Sequence, residues 1–191
     1  MSSTESDSHS AEATGEAPPA APPPAPSATI PHKAPLAYAL ALGVVLADQI
    51  TKLWILYSFD LPSRGSVEVF GPFSLTMVWN QGVSFGLLRA ESDWMRWLLS
   101  GFSLIVAGIL AVWARQVNRN LLGWAIGLIM GGAIGNLIDR VRYGAVADFL
   151  DFKALHFPWV FNIADSAITI GVILLLADTV REEIRSRAGR A

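Results

Sequence analysis

Two long apolar runs flank the polar segment Gly144-Ala-Val-Ala-Asp-Phe-Leu-Asp-Phe-Lys-Ala-Leu-His-Phe-Pro-Trp-Val-Phe-Asn-Ile-Ala-Asp165. The segment carries Asp148 and Asp165, and Asn162 lies close to the second acid. A carboxylate at the centre of a membrane helix costs about 2.5–3.5 kcal/mol and less toward the interface, so intramembrane acids are usually functional or paired. Two acids around one short connection between membrane helices therefore predict a functional site.

The composition of the whole chain is that of an integral membrane protein. Of its 191 residues, 52% are hydrophobic and only 16% are charged. Four apolar runs reach the roughly 20 residues that a spanning helix needs, at about 36–57, 94–114, 121–143 and 162–180. The sequence thus predicts a membrane all-α fold, a bundle of four transmembrane helices.

The two ends of the chain differ from this apolar domain. Residues 1–35 are rich in Ser, Ala, Glu and Pro, so we expect a disordered tail. The first apolar run begins only after Pro35, which predicts a retained helix rather than a cleaved signal peptide. The membrane domain is expected over residues 36–181, with a basic tail over 182–191. Four crossings place both termini on one side, and the basic residues there, among them Lys33, Arg115 and Arg119, predict that this side is the cytoplasm.

The first outer connection, residues 58–93, is longer than a simple link between helices. Residues 66–70 and 73–79 alternate apolar and polar side chains around Gly71-Pro72, which predicts two short strands and a turn. The alternative is an interfacial loop anchored by aromatic residues. Asn80-Gln-Gly-Val-Ser-Phe-Gly86 follows, and its glycines would let the backbone approach a ligand closely.

Several classes of chemistry are not supported by the sequence. There are no cysteines, which removes disulfides and a thiol nucleophile, and the three histidines are too scattered to predict a metal site. No phosphate-binding loop and no Ser–His arrangement is evident. We therefore predict no metal, no cofactor and no nucleic-acid partner, the net charge being only −2.

Polar residues also occur inside the first and third helices. Asp48 and Lys52 are four residues apart and share a helix face, which is typical of a paired structural clamp. Asn136 and Arg140 share a face in the same way, with Asp139 adjacent, after small residues that permit close helix packing. Two interpretations of Arg140 stay open: a structural ion pair with Asp139 or Asp48, or a contact to a substrate carbonyl or a catalytic carboxylate.

The start of the fourth helix has two interpretations as well. Asn162 as N-cap with Asp165 three residues later is a variant of the capping box, and the helix dipole stabilises an acid in the first turn. Capping does not explain Asp148, which is predicted on the loop after the third helix. All the polar groups converge at the outer ends of the helices or in the outer loops, and this convergence predicts one shared site.

Two carboxylates in one site fit a particular chemistry. Repulsion raises the pKa of one member of such a pair, so that the pair holds one proton near neutral pH. One acid can then activate water while the other protonates a peptide carbonyl, which is aspartic peptidase chemistry. Because the helix dipole favours the charged form of Asp165, we hypothesise that Asp148 carries the shared proton.

Two other classes of protein are alternatives to an aspartic peptidase. A small transporter or channel component would use the acids to relay protons or bind an ion, but it predicts acids near the midplane and repeated halves, which the sequence does not show. A non-catalytic assembly protein with paired structural charges is not excluded by composition.

Five motifs follow one another along the chain: Asp48-Gln-Ile-Thr-Lys52, Asn80-Gln-Gly-Val-Ser-Phe-Gly86, Gly131-Gly-Ala-Ile-Gly-Asn-Leu-Ile-Asp-Arg140, Val146-Ala-Asp-Phe149 and Phe161-Asn-Ile-Ala-Asp165. In order and spacing they resemble those of the bacterial lipoprotein signal peptidases, also called signal peptidase II, and the resemblance covers about residues 36–180.

The resemblance implies four transmembrane helices, cytoplasmic termini and a small extracytoplasmic β-sheet cradle in the bacterial inner membrane. It implies cleavage of prolipoprotein signal peptides just before a diacylglyceryl-modified cysteine. We also expect membrane lipid around the substrate and an enzyme that acts as a monomer. It makes Asp148 and Asp165 the catalytic pair. The residues implied to line the site are Asn80, Asn136, Arg140 and Asn162, and those implied to support it are Asp48, Lys52 and Asp139.

Overall fold

The computed structural model describes residues 33–82 and 93–190. In these ranges the chain forms the helices α1 (Ala34–Leu53), α2 (Leu61–Arg64), α3 (Asp93–Ala114), α4 (Asn120–Tyr143) and α5 (Ile163–Ala188). The strands are β1 (Ser66–Phe70), β2 (Phe73–Asn80), β3 (Val146–Asp151) and β4 (Val160–Phe161). The tail predicted over residues 1–35 lies almost wholly outside the described residues, as do residues 83–86 of the motif that begins at Asn80.

Among the residues that the structure describes, four helices are long and apolar enough to cross a membrane, which confirms the predicted fold class. α1 continues through a π-helical turn, Trp54–Ser58, in which the Phe59 amide donates to the Trp54 carbonyl at 2.8 Å. The last helix does not end near residue 180 as predicted but runs to Ala188. Ion pairs across one helical turn, Glu182–Arg185 and Glu183–Arg187, support this extension, so most of the expected basic tail is helical.

α4 is the central helix of the bundle, and it packs against α1, α3 and α5. Its small residues permit this contact, as the sequence predicted. A Cβ atom on Gly131 would lie 2.7 Å from the Ala41 carbonyl oxygen, and one on Gly135 would lie 2.7 Å from Asp48 Oδ2. The glycines thus bring α1 close enough for its polar face to reach α4.

A four-stranded antiparallel sheet in the order β1-β2-β3-β4 lies at one end of the bundle. β1 and β2 confirm the two predicted strands. The prediction that Asp148 lies on a loop is wrong, because Asp148 is in β3 and pairs in register with Val78. Nearly every residue of β3 is buried, so this strand has no alternation of apolar and polar residues that could reveal it.

The turn from α4 into β3 fixes where β3 begins. Gly144 ends α4 with a φ of 81°, a left-handed conformation that glycine adopts without strain. Arg96 of α3 donates to the carbonyl oxygens of Arg140 and Val141, both at 2.7 Å, and so satisfies the end of α4. This turn places Asp148 beside the start of α5.

Candidate active site

Asp148 is buried in β3 and accepts hydrogen bonds on both carboxylate oxygens. Asn162 Nδ2 donates to Oδ1 at 2.7 Å, and Asn80 Nδ2 donates to Oδ2 at 3.0 Å. The Asn80 side chain is itself oriented by the Gly82 amide, which donates to Asn80 Oδ1 at 2.8 Å. Residues from β2, β3 and the start of α5 therefore meet at this carboxyl group.

Asp165 lies in the first turn of α5 and is partly exposed. Its Oδ1 accepts a hydrogen bond from Asn136 Nδ2 of α4 at 2.8 Å. Its backbone amide donates to Asn162 Oδ1 at 2.8 Å, which confirms Asn162 as the N-cap.

Two asparagines connect the acids. Asn162 caps α5 with its oxygen while its nitrogen contacts Asp148 and, at 3.2 Å, Asn136 Oδ1. Asn136 in turn donates to Asp165. The capping interpretation is confirmed for Asn162, and the nitrogen of the same amide is free to contact Asp148.

The environment of Asp148 favours its protonated form. Burial is the main cause and the charge of Asp165 the next, and together they raise the pKa of Asp148 to about 7. The hydrogen bonds from Asn80 and Asn162 act in the opposite direction but do not restore an ordinary pKa. A carboxyl group with this pKa can hold and release a proton near neutral pH.

A buried ion cluster lies next to the two acids. Lys52 Nζ is 2.8 Å from Asp48 Oδ2 and 2.7 Å from Asp139 Oδ2. Gln49 Nε2 also bridges the two carboxylates, at 3.1 Å and 3.0 Å. The predicted pairing of Asp48 with Lys52 is confirmed, and Asp139 joins it from α4.

This cluster is bonded to the backbone beside each acid of the site. The Ala147 amide, one residue before Asp148, donates to Asp139 Oδ2 at 3.1 Å. The Ala164 amide, one residue before Asp165, donates to Asp48 Oδ1 at 3.0 Å. The ammonium group of Lys52 therefore binds both carboxylates that accept these backbone hydrogen bonds, and so holds the segments before Asp148 and Asp165 in place. Sequence reasoning did not single out Gln49, although a polar residue between Asp48 and Lys52 in a membrane helix was a signal for it.

Arg140 is partly exposed and is not a structural ion-pair partner. Asp139 and Asp48 are both bound by Lys52, so the interpretation that paired either of them with Arg140 is wrong. Within residues 33–82 and 93–190 the guanidinium forms no ion pair, and its hydrogen bond is to the Asn136 carbonyl at 3.5 Å.

Two cavities approach the acids. One of about 400 Å³ lies beside the sheet and includes Asn80, Asp148, Lys153 and Trp159 in its lining. The other, of about 280 Å³, lies between α3, α4 and α5 and is mostly apolar, but Asn136 and Arg140 line it. Over the described ranges, no group of three His, Asp or Glu side chains has the arrangement of a metal site. The two cavities can thus receive a ligand that has a polar part and an apolar part.

Comparison with known proteins gives a consistent result. A family profile described as signal peptidase (SPase) II matches residues 40–181. A lipoprotein signal peptidase of Caulobacter vibrioides is 56% identical over 82% of this chain and 94% of its own length. One from a Methylobacterium species is 45% identical, over 80% and 93%. A solved structure titled as a bacterial membrane enzyme matches with a TM-score of 0.67 and 30% identity, over 78% of this chain and 90% of that one.

Proposed function

Since this chain belongs to the signal peptidase II family, and is thereby a peptidase that acts on the signal peptides of prolipoproteins, we propose that it is an aspartic endopeptidase with Asp148 and Asp165 as its catalytic pair. The observation that carries the proposal is the convergence of the two acids on Asn136 and Asn162. In this arrangement each carboxyl group is oriented by an amide, and the two amides are bonded to each other.

The raised pKa of Asp148 supports a division of roles between the two acids. Asp165 takes a proton from water as the water oxygen attacks the peptide carbonyl carbon, and Asp148 donates its proton to the carbonyl oxygen. In the second step the carbon–nitrogen bond breaks, Asp165 gives its proton to the leaving nitrogen, and Asp148 recovers a proton from the hydroxyl group. Both acids return to their starting states.

The surrounding residues support a lipid-modified substrate. Asn80 and Arg140, one from each cavity, bind the substrate backbone around the scissile bond. The apolar cavity between α3, α4 and α5 is lined by Asn136, which bonds to Asp165, so a diacylglyceryl-modified cysteine bound there can keep its lipid in the bilayer. Membrane anchoring then supplies orientation that a soluble peptidase must obtain from contacts. Cleavage falls just before that cysteine.

The placement in the cell follows from the charges. The acids lie at one end of the bundle, and Arg119, Arg181 and Arg185 lie at the other. By the positive-inside rule the basic end faces the cytoplasm, with both termini, and the site faces the outer side of the bacterial inner membrane. Asp148 lies in β3 and Asp165 in the first turn of α5, so neither acid is in the middle of a membrane helix, and this does not favour the transport alternative.

The test of the proposed function is incubation of the purified protein with a diacylated prolipoprotein. Mass spectrometry of the products is expected to give a signal peptide that ends at the residue before the modified cysteine. The matched control is the same precursor without its diacylglyceryl group, which should be cleaved far more slowly. Equal cleavage of both precursors, or cleavage at another bond, would contradict the substrate assignment.

Arg140→Ala is expected to leave a folded protein whose kcat/KM is lower by about 10- to 100-fold, the usual effect of losing a charge-assisted hydrogen bond to substrate. Arg142→Ala is the control, because Arg142 is exposed and its guanidinium lies over the Tyr143 ring. Steady-state kinetics on the two variants decide the point. Normal kinetics for Arg140→Ala, or the same loss in Arg142→Ala, would remove Arg140 from the substrate contacts.

The pH dependence of the reaction follows from the raised pKa of Asp148. Below a pH of about 7 Asp148 holds the proton that it must donate, and above it the proton is lost, so kcat/KM is expected to fall as the pH rises through about 7. The measurement is a pH–rate profile from pH 5.5 to 9, with thermal unfolding recorded at each pH. A rate that stays constant to pH 9 while the protein stays folded would disprove the acid role of Asp148.

A further inference from the structure

The end of the bundle opposite the acids contains a second polar cavity, of about 290 Å³. It lies where the start of α1, the connection between α3 and α4, and the last turns of α5 meet. Its charged lining consists of the cations Lys33, Arg119, Arg181 and Arg185 and the acids Asp178 and Glu182. Four cations against two carboxylates leave an excess of two positive charges.

Both carboxylates of this cavity are already bound. Arg119 lies 2.9 Å from Asp178 Oδ2 and 3.0 Å from Glu182 Oε2, and Arg185 lies 3.2 Å from Glu182 Oε1. Asp178 is only 3% exposed, so its pair with Arg119 is fixed within the wall of the cavity. Lys33 and Arg181 form no ion pair with any residue that the structure describes. The cavity thus offers two uncompensated cations to an anionic group.

The level of the cavity along the bundle indicates the kind of anion. The turns of α5 that line it also carry Val180 and Ile184, whose side chains are 58% and 63% exposed. Trp124, in the second turn of α4, is exposed as well. Exposed aliphatic side chains and a tryptophan beside a basic cavity are typical of the boundary between hydrocarbon and head groups. A soluble anion would neutralise the cations but would leave this apolar surface without a partner.

We propose that this cavity binds the phosphate head group of an anionic phospholipid, with Lys33 and Arg181 contacting the phosphate. The acyl chains of the lipid pack along the exposed apolar side chains of the helices. Basic pockets at this depth between membrane helices are suited to such head groups. The bound lipid joins the start of α1 to the last turns of α5, at the end of the bundle remote from the proposed catalytic residues.

The test is native mass spectrometry of the full chain in detergent, titrated with phosphatidylglycerol or with phosphatidylcholine. The wild-type protein is expected to retain phosphatidylglycerol in preference. The double variant Lys33→Gln/Arg181→Gln should bind it about tenfold more weakly, since each cation near a head group contributes severalfold to affinity. Lys33→Arg/Arg181→Lys, which keeps both charges, should bind as the wild type does.

The matched control is Arg115→Gln/Arg190→Gln, which removes two positive charges from the same end of the protein but outside the cavity lining. Its affinity is expected to stay within about twofold of the wild type. An equal loss in both double variants would show general attraction to a basic surface and overturn the proposal. Equal retention of the two lipids, or displacement of phosphatidylglycerol by inorganic phosphate at a comparable concentration, would overturn it too.

Discussion

Asp148→Asn and Asp165→Asn are each expected to reduce turnover of a diacylated precursor by roughly 10³- to 10⁴-fold, with the protein still inserted and folded. Asparagine has nearly the shape of aspartate and keeps a side-chain oxygen. That oxygen can accept the hydrogen bond that Asn162 donates at position 148 or Asn136 donates at position 165. It cannot hold or release the proton that each step requires. The double variant should be no worse than either single one, because the two acids act as a unit.

Asp151→Asn is the matched control for this pair. Asp151 is also buried in β3, three residues after Asp148, and it accepts a hydrogen bond from the Lys153 amide at 2.9 Å. The substitution removes a buried carboxyl group from the same strand and leaves the proposed dyad unchanged, so turnover should stay close to that of the wild type. Substantial turnover by either dyad variant, measured by release of the signal peptide, would refute the assignment, and so would an equal loss in Asp151→Asn.

Features that depend on neighbouring residues could be predicted from the sequence. The apolar runs predicted the four helices, and alternation predicted β1 and β2. Spacing of four residues predicted the contact between Asp48 and Lys52, and a capping pattern predicted the bond from the Asp165 amide to Asn162. Each of these features is encoded within one or two helical turns or within one strand.

The features that the sequence did not reveal depend on distant contacts. β3 has no alternation because both of its faces are covered, so the sequence predicts a loop at Asp148 where the structure has a strand. The bond between Asn80 and Asp148 joins residues 68 apart in the chain, and only the pairing of β2 with β3 brings them together. Whether Arg140 forms an ion pair depends on Lys52, because Lys52 lies on another helix and is itself paired with the two acids that were the predicted partners of Arg140.

The extension of α5 was missed for a different reason. Its last two turns are charged enough to resemble a solvated tail, but the opposite charges are spaced three and four residues apart and stabilise the helix. This extension also supplies Arg181 and Arg185 to the basic cavity. A charged run at the end of a membrane helix is therefore weak evidence that the helix has ended.

Lys52→Met is expected to reduce turnover by at least about 10²-fold and to destabilise the fold by about 3–5 kcal/mol. The change leaves Asp48 and Asp139 as buried carboxylates that repel each other. As they move apart, the acceptors for the Ala164 and Ala147 amides move with them, and those amides directly precede the two proposed catalytic acids. A displacement of about 1 Å at a catalytic group is enough for a loss of this size.

Two further variants separate positioning from general loss of stability. Ile126→Ala removes a buried side chain near the other end of α4, where a cavity costs about 2–5 kcal/mol, and it should leave turnover per folded molecule unchanged. The triple variant Asp48→Asn/Lys52→Met/Asp139→Asn removes every charge of the cluster but keeps an oxygen to accept from each amide. It should recover stability and part of the turnover, because the acceptors no longer repel each other.

Hydrogen exchange at the Ala147 and Ala164 amides gives a readout that does not depend on catalysis. We expect exchange to be faster in Lys52→Met than in the wild type, and slower in the triple variant than in Lys52→Met. If exchange at both amides is unchanged in Lys52→Met, the cluster does not position the acids, whatever happens to turnover.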